Sequence, residues 1–85
     1  MRSAEFEKWA SGAGGLNAAS ARSYVSYLAS VEQSYGIDLD RDWSSTRLTV
    51  VRSRLDQDGA LNRNTQRNRM SALAKYEDFC TATRR

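Results

Sequence analysis

The sequence predicts an all-α protein: one compact, orthogonal bundle of four or five helices spanning all 85 residues. Apolar residues recur every three or four positions in four segments, which is the period of a helix with one buried face. No segment alternates polar and apolar residues over a useful length, so we expect no β-strand. Proline is absent, and all five glycines fall between the periodic segments, where chain reversals belong.

The first helix is expected over residues 4–11, with Phe6 and Trp9 on its apolar face. Ser3 is the expected N-cap, because a serine hydroxyl can accept a hydrogen bond from a backbone N–H group of the first turn. Gly12 is expected to end the helix, and a short glycine loop follows it.

The second helix is expected to begin after Asn17, its predicted N-cap, and to end at Gly36. Leu16, just before the cap, can pack back against the helix as a hydrophobic staple. Residues at helical spacing form its apolar face: Ala21, Tyr24, Val25, Leu28, Val31 and Tyr35. Glu32 lies at the edge of this face, and we expect its removal to leave binding of any partner unchanged.

A loop and a third helix follow Gly36. In the loop, Ile37, Leu39 and Trp43 are expected to turn toward the core while the aspartates stay in water. The third helix is expected to begin at Ser44 or Ser45 and to end at Gly59. Its apolar stripe consists of Leu48, Val51 and Leu55.

The fourth helix is expected to be capped by Asn62 and to run to about Thr81. Its apolar stripe is the strongest in the chain and consists of Met70, Leu73, Tyr76, Phe79 and Cys80. Leu28 and Leu73 are the predicted centre of the bundle. Cys80 is expected to be a small buried hydrophobe rather than a reactive thiol.

The composition argues against catalysis and metal binding. Histidine is absent and Cys80 is the single cysteine, so the usual general base, a metal cluster and an internal disulfide are all missing. We expect no enzyme activity, no cofactor, no metal and no small-molecule ligand. No segment has the apolar length of a membrane span, and no apolar run follows the N-terminus as in a signal peptide, so a cytoplasmic protein is expected.

The outward sides of the second and fourth helices are polar and nearly free of acids. Stepping about 100° per residue from Leu28 and from Leu73 identifies the side chains opposite each buried face. They are Arg22, Ser23 and Ser26 on the second helix, and Asn64, Asn68, Ser71 and Lys75 on the fourth, with Arg67 on its flank. Amide, hydroxyl and guanidinium groups bond to phosphate oxygens and base edges, although an ordinary solvated face would have the same composition.

The overall charge is only +3, from 13 basic and 10 acidic residues, and does not by itself indicate a nucleic-acid partner. The positions of the charges say more. No acid occurs between Asn17 and Val31, and none occurs between Asn62 and Tyr76. A weakly positive net charge can therefore conceal a polarised surface.

Two segments resemble the core-binding domain of tyrosine recombinases and phage integrases. Residues 16–28 have a leucine and a cap residue, a hydroxyl residue three positions on, then tyrosine and leucine at helical spacing, as in that domain's second helix. Residues 62–79 have a cap, a threonine, Ser71-Ala72-Leu73 and two aromatics three apart, as in its last helix. Phe6-Glu7-Lys8-Trp9 is similar to the opening helix, so the resemblance covers essentially the whole chain.

This resemblance implies a DNA-binding module. In the family, a bundle of four or five helices precedes a catalytic domain and grips duplex DNA with its second and last helices. The implied partners are double-stranded DNA and a C-terminal catalytic domain or other recombinase protomers. The chain lacks that catalytic domain and every histidine, so its tyrosines are expected to be structural. The alternative is a helical protein–protein interaction module.

Overall fold

The computed structural model describes residues 1–40 and 45–83, and the described chain forms four helices and no strand. The helices are α1 (Ser3–Ser11), α2 (Ala18–Tyr35), α3 (Ser45–Asp56) and α4 (Arg63–Thr83). α2 packs against both α1 and α4, and α3 packs against α4. The predicted all-α bundle is confirmed. None of the described helices is long and apolar enough to cross a membrane.

The core joins all four helices around two leucines. Leu28 and Leu73 have no exposed surface, which confirms both as the predicted centre. The Phe6 ring lies 5.4 Å from the Tyr76 ring and 5.6 Å from the Phe79 ring, measured between centroids, so α1 is anchored on α4 by aromatic packing. The other buried residues are Ala10, Ala21, Val31, Leu39, Leu48, Val51, Leu55, Ala72 and Cys80.

Several residues predicted on apolar faces lie at the margin of this core. They are only partly buried and pack against it: Trp9, Leu16, Tyr24, Val25, Tyr35, Ile37 and Met70. Cys80 is 7% exposed, and burial raises the pKa of its thiol despite the nearby Arg2. Trp43 and Ser44 lie outside the described residues, so the predictions made for them are not addressed by the structure.

Local polar signals set both ends of α2 and the start of α4 as predicted, whereas α3 ends at Asp56 rather than at Gly59, and α4 continues to Thr83 rather than to about Thr81. The Asn17 side chain accepts a hydrogen bond from the Ser20 amide at 2.8 Å, and the Asn62 side chain accepts one from the Thr65 amide at 2.8 Å. Gly36 ends α2 in the left-handed conformation, with φ of 63°.

The predicted start of α1 is wrong by one residue. Ser3 is the first helical residue, and the cap position belongs to Arg2, whose side chain makes no capping hydrogen bond. The Arg2 guanidinium lies 4.7 Å from the centroid of the Phe79 ring and forms an ion pair with Asp40 at 3.3 Å. These contacts with residues far away in the sequence hold Arg2 in place. Its backbone carbonyl accepts a hydrogen bond from the Phe6 amide at 2.9 Å.

Glu32, at the edge of the buried face of α2, connects three segments of the chain, a structural role that its position in the sequence did not predict. Its Oε2 accepts hydrogen bonds from the Met1 amino group at 3.0 Å and from the Leu39 amide at 2.8 Å. The Met1 amino group also donates to Asp38 at 3.0 Å. Replacing Glu32 would remove the acceptor of the Leu39 amide and one of the two acceptors of the Met1 amino group, so Glu32 is unsuitable as a control in binding experiments.

Candidate nucleic-acid interface

Two polar contacts hold α2 beside α4. Near the end of α2, Ser34 Oγ accepts a hydrogen bond from Arg69 Nη1 at 3.5 Å. In the loop before α2, the Gly14 carbonyl accepts one from Lys75 Nζ at 3.1 Å. The C-terminal turn of α2 therefore lies beside Arg69 of α4, and the loop before α2 lies beside Lys75. The outer faces of the two helices adjoin where Ser34 meets Arg69.

The predicted contact residues of α4 are exposed and unengaged, with one exception. Asn64, Arg67, Asn68 and Ser71 are exposed, and their side chains make no hydrogen bond or ion pair with the described residues. An asparagine offers both a donor and an acceptor, and a guanidinium offers five donors. These groups are therefore free for an external partner.

Lys75 is the exception, because it also has a structural contact. It is half-buried, and its ammonium group donates one of three available protons to the Gly14 carbonyl. Gly14 itself packs closely on α1, since a Cβ atom built on it would lie 2.8 Å from Ala10 Cα and 2.9 Å from Trp9 Cζ3. Lys75 retains two further N–H donors, and its hydrogen bond to Gly14 holds it beside the loop before α2.

The predicted residues of α2 are exposed as well. Arg22 forms no ion pair or hydrogen bond with any residue that the structure describes. Ser23 Oγ donates to the Ala19 carbonyl at 3.1 Å, which leaves the oxygen lone pairs as acceptors. Ser26 is exposed, and its carbonyl accepts the Ser30 hydroxyl at 3.1 Å.

The structure separates Arg22 from Arg67 rather than bringing them together. Ser34 is the α2 residue that contacts α4, and Arg22 lies about 120° around the helix from it. Arg22 therefore lies at the edge of the outer face of α2 that is farther from α4. Glu77 of α4 pairs with Arg52 of α3, and Arg67 lies about 80° around α4 from Glu77. Arg67 therefore lies at the edge of the outer face of α4 that is nearer to α3. The serines and asparagines of the two helices lie between these two edges.

No family model, no curated protein and no solved structure matches this chain. The candidate interface is thus defined by the contacts of its own residues.

Part of the polar run at residues 62–69 stabilises the bundle instead of facing outward. Gln66 Nε2 donates to the carbonyls of Leu55 and Asp56, both at 2.7 Å, and so satisfies the free C-terminal carbonyls of α3. Asn62 is used as a cap. The sequence contained this signal, because Gln66 lies only about 20° from Leu73 around the helix and therefore belongs to the buried side.

Several acids near the bundle surface are engaged with other parts of the protein. Glu77 pairs with Arg52, and Asp58 accepts a hydrogen bond from the Tyr35 hydroxyl at 3.0 Å. Burial and the bond to Asp58 raise the pKa of that hydroxyl, although Arg69 and Arg54 oppose the rise. Glu77 is thus paired with a cation, whereas Asp58 accepts only neutral donors among the described residues and keeps its negative charge beside the end of α2. Asp78 is a further acid near the end of α4.

Proposed function

We propose that this chain is a DNA-binding module that contacts duplex DNA with the outer faces of α2 and α4. The supporting observation is a strip of exposed hydroxyl and amide side chains without acids, with Arg22 and Arg67 at its two edges. Neither arginine has an ion-pair or hydrogen-bond partner in the part of the chain that the structure describes. Cations attract the phosphate backbone, and uncharged donors and acceptors can approach it or the base edges without electrostatic penalty.

The candidate DNA-binding residues fall into two groups, one suited to phosphate and one suited to base edges. Arg22 and Lys75 are assigned to phosphate, which receives half or more of the hydrogen bonds in such interfaces. Asn64, Arg67 and Asn68 are assigned to base edges, because asparagine pairs with adenine and arginine with guanine in the major groove. The resemblance to the core-binding domain of tyrosine recombinases supports the same two helices.

An exposed apolar stripe on these helices would favour the alternative, a protein-interaction module. Among the described residues, the one large hydrophobic side chain that is exposed is Val50, at 44%, and it lies on α3. A single exposed valine is ordinary on a soluble surface. The polar composition of the α2–α4 face therefore favours DNA over a helical protein partner.

The proposal is tested by titrating a labelled duplex at low salt with the wild type and with an Arg22→Ala/Arg67→Ala variant. Both arginines are exposed and unpaired, so the variant should fold normally and bind at least about tenfold more weakly. Lys8→Ala, which removes an exposed cation from α1, is the matched control and should bind like the wild type. Equal binding by folded wild type and double variant would reject this face and promote the protein-interaction alternative.

A further inference from the structure

Arg69 places a cation at the seam between α2 and α4. Its backbone lies on the core side of α4, only about 40° from Leu73, so counting around the helix assigns it to the buried face. The half-buried side chain nevertheless extends to the exposed hydroxyl of Ser34 on the last turn of α2. Long basic side chains commonly bury their stems and keep their charged ends in water. The guanidinium of Arg69 therefore emerges where the two outer faces meet.

This guanidinium is only lightly engaged. Ser34 accepts one of its N–H groups at the long distance of 3.5 Å, which leaves four donors. Asp58, the acid of the adjacent cluster, accepts the Tyr35 hydroxyl and the Ala60 amide, both at 3.0 Å. Arg69 forms no ion pair with an acid in the described parts of the chain. Among the described residues, the guanidinium thus has no carboxylate at ion-pair distance, although Asp58 acts on the same Tyr35 hydroxyl.

We propose that Arg69, positioned by Ser34, binds a backbone phosphate of duplex DNA at the α2–α4 seam. This inference rests on the proposed function and adds a contact between the two edges occupied by Arg22 and Arg67. A phosphate here would meet the free guanidinium donors, with the exposed Asn68 next to it in sequence on the outer side of α4. The outer faces of α2 and α4 would then form one continuous interface with the DNA.

The test is the salt dependence of duplex binding by Arg69→Gln in the full chain, measured by fluorescence anisotropy. Loss of one phosphate contact should weaken binding by about tenfold near 50 mM salt and reduce the slope of log K against log salt by about one. Arg69→Lys retains the charge and should keep the wild-type slope. Ser34→Asp retains Arg69 but sets a carboxylate against it, and should weaken binding as Arg69→Gln does.

Arg54→Gln is the matched control. Arg54 acts on the same Tyr35 hydroxyl as Arg69 but lies exposed on α3 rather than on α2 or α4, so its removal should leave the slope unchanged. Wild-type slopes for Arg69→Gln and Ser34→Asp would overturn the inference while leaving DNA binding intact. If Arg69→Gln fails to fold, Ser34→Asp decides the question alone. A wild type that does not bind duplex DNA would overturn both proposals.

Discussion

Gly14 allows the loop before α2 to pack directly against the backbone of α1. A Cβ atom at this position would lie 2.8 Å from Ala10 Cα and 3.0 Å from the Ala10 carbonyl oxygen. Both are backbone atoms, which cannot rotate aside as a flexible side chain can. Glycine at this position lets the loop before α2 fold back on α1, where its carbonyl also receives Lys75.

Gly14→Ala is expected to destabilise the protein by about 1–3 kcal/mol, as other overpacking substitutions do. The measurement is the free energy of unfolding from denaturant titration. Gly59→Ala is the matched control, because a Cβ atom there meets nothing within 4 Å, and its stability should change by less than about 1 kcal/mol. Equal stabilities for the two variants would contradict the close packing of the loop on α1.

At the scale of the helices, the sequence was informative where the signals are local. The caps at Asn17 and Asn62 and the stop at Gly36 depend on groups within four residues, and each was predicted. The buried faces of α2 and α4 followed from their periodicity, because each helix buries one stripe.

Contacts between distant segments could not be predicted in the same way. The start of α1 depends on Arg2 lying over Phe79, and the role of Glu32 depends on Met1 reaching the end of α2. For the candidate interface, periodicity identified exposed residues but could not place Arg69 at the seam or Lys75 against Gly14. Such pairings arise only once the packing order of the helices is fixed.

Leu28→Ala and Leu73→Ala should each cost about 2–5 kcal/mol of unfolding free energy, because both side chains are fully buried and would leave cavities. Denaturant titration followed by helical circular dichroism measures the loss. Val50→Ala truncates an exposed side chain on α3 and should change stability by less than about 0.5 kcal/mol. A small effect at either leucine would mean that the helical phase is misassigned.

At the scale of the whole molecule, four groups with raised pKa values make the stability of the fold depend on alkaline pH: the Met1 amino group, Tyr35, Cys80 and Tyr76. Burial lowers the pKa of the Met1 amino group, but bonds to Glu32 and Asp38 outweigh it and raise the pKa above 8.0. Burial raises the pKa of Cys80 above 9.0 and that of Tyr76 to about 12. In each case the folded protein holds the proton more tightly than the unfolded chain.

Stability is therefore expected to be full below about pH 8 and to fall progressively as the pH rises toward about 12. Denaturant midpoints measured across this range provide the test. Tyr76→Phe removes the phenol and should reduce the fall between pH 10.0 and about 12 while leaving the earlier fall in place. A midpoint that stays constant up to about pH 11 would contradict the assigned contacts.

The distribution of charge over the whole molecule supports a two-helix DNA face more than the net charge does. Acids concentrate on α1, on the segment after α2 and at the C-terminal ends of α3 and α4, while the adjoining outer faces of α2 and α4 contain none over most of their length. A polyanion should therefore dock on one side of the bundle, and its position can be mapped residue by residue.

An NMR titration of the isotope-labelled protein with duplex DNA at low salt locates the DNA-binding face residue by residue. We expect the changes in backbone amide shift to concentrate at residues 22–34 of α2 and 64–75 of α4, with the α1 amides nearly unchanged. Raising the salt concentration should reverse these shifts, because phosphate contacts release counterions. Shifts concentrated on α1 or α3, or no shifts at any DNA concentration, would contradict the assignment of α2 and α4 as the DNA-binding face.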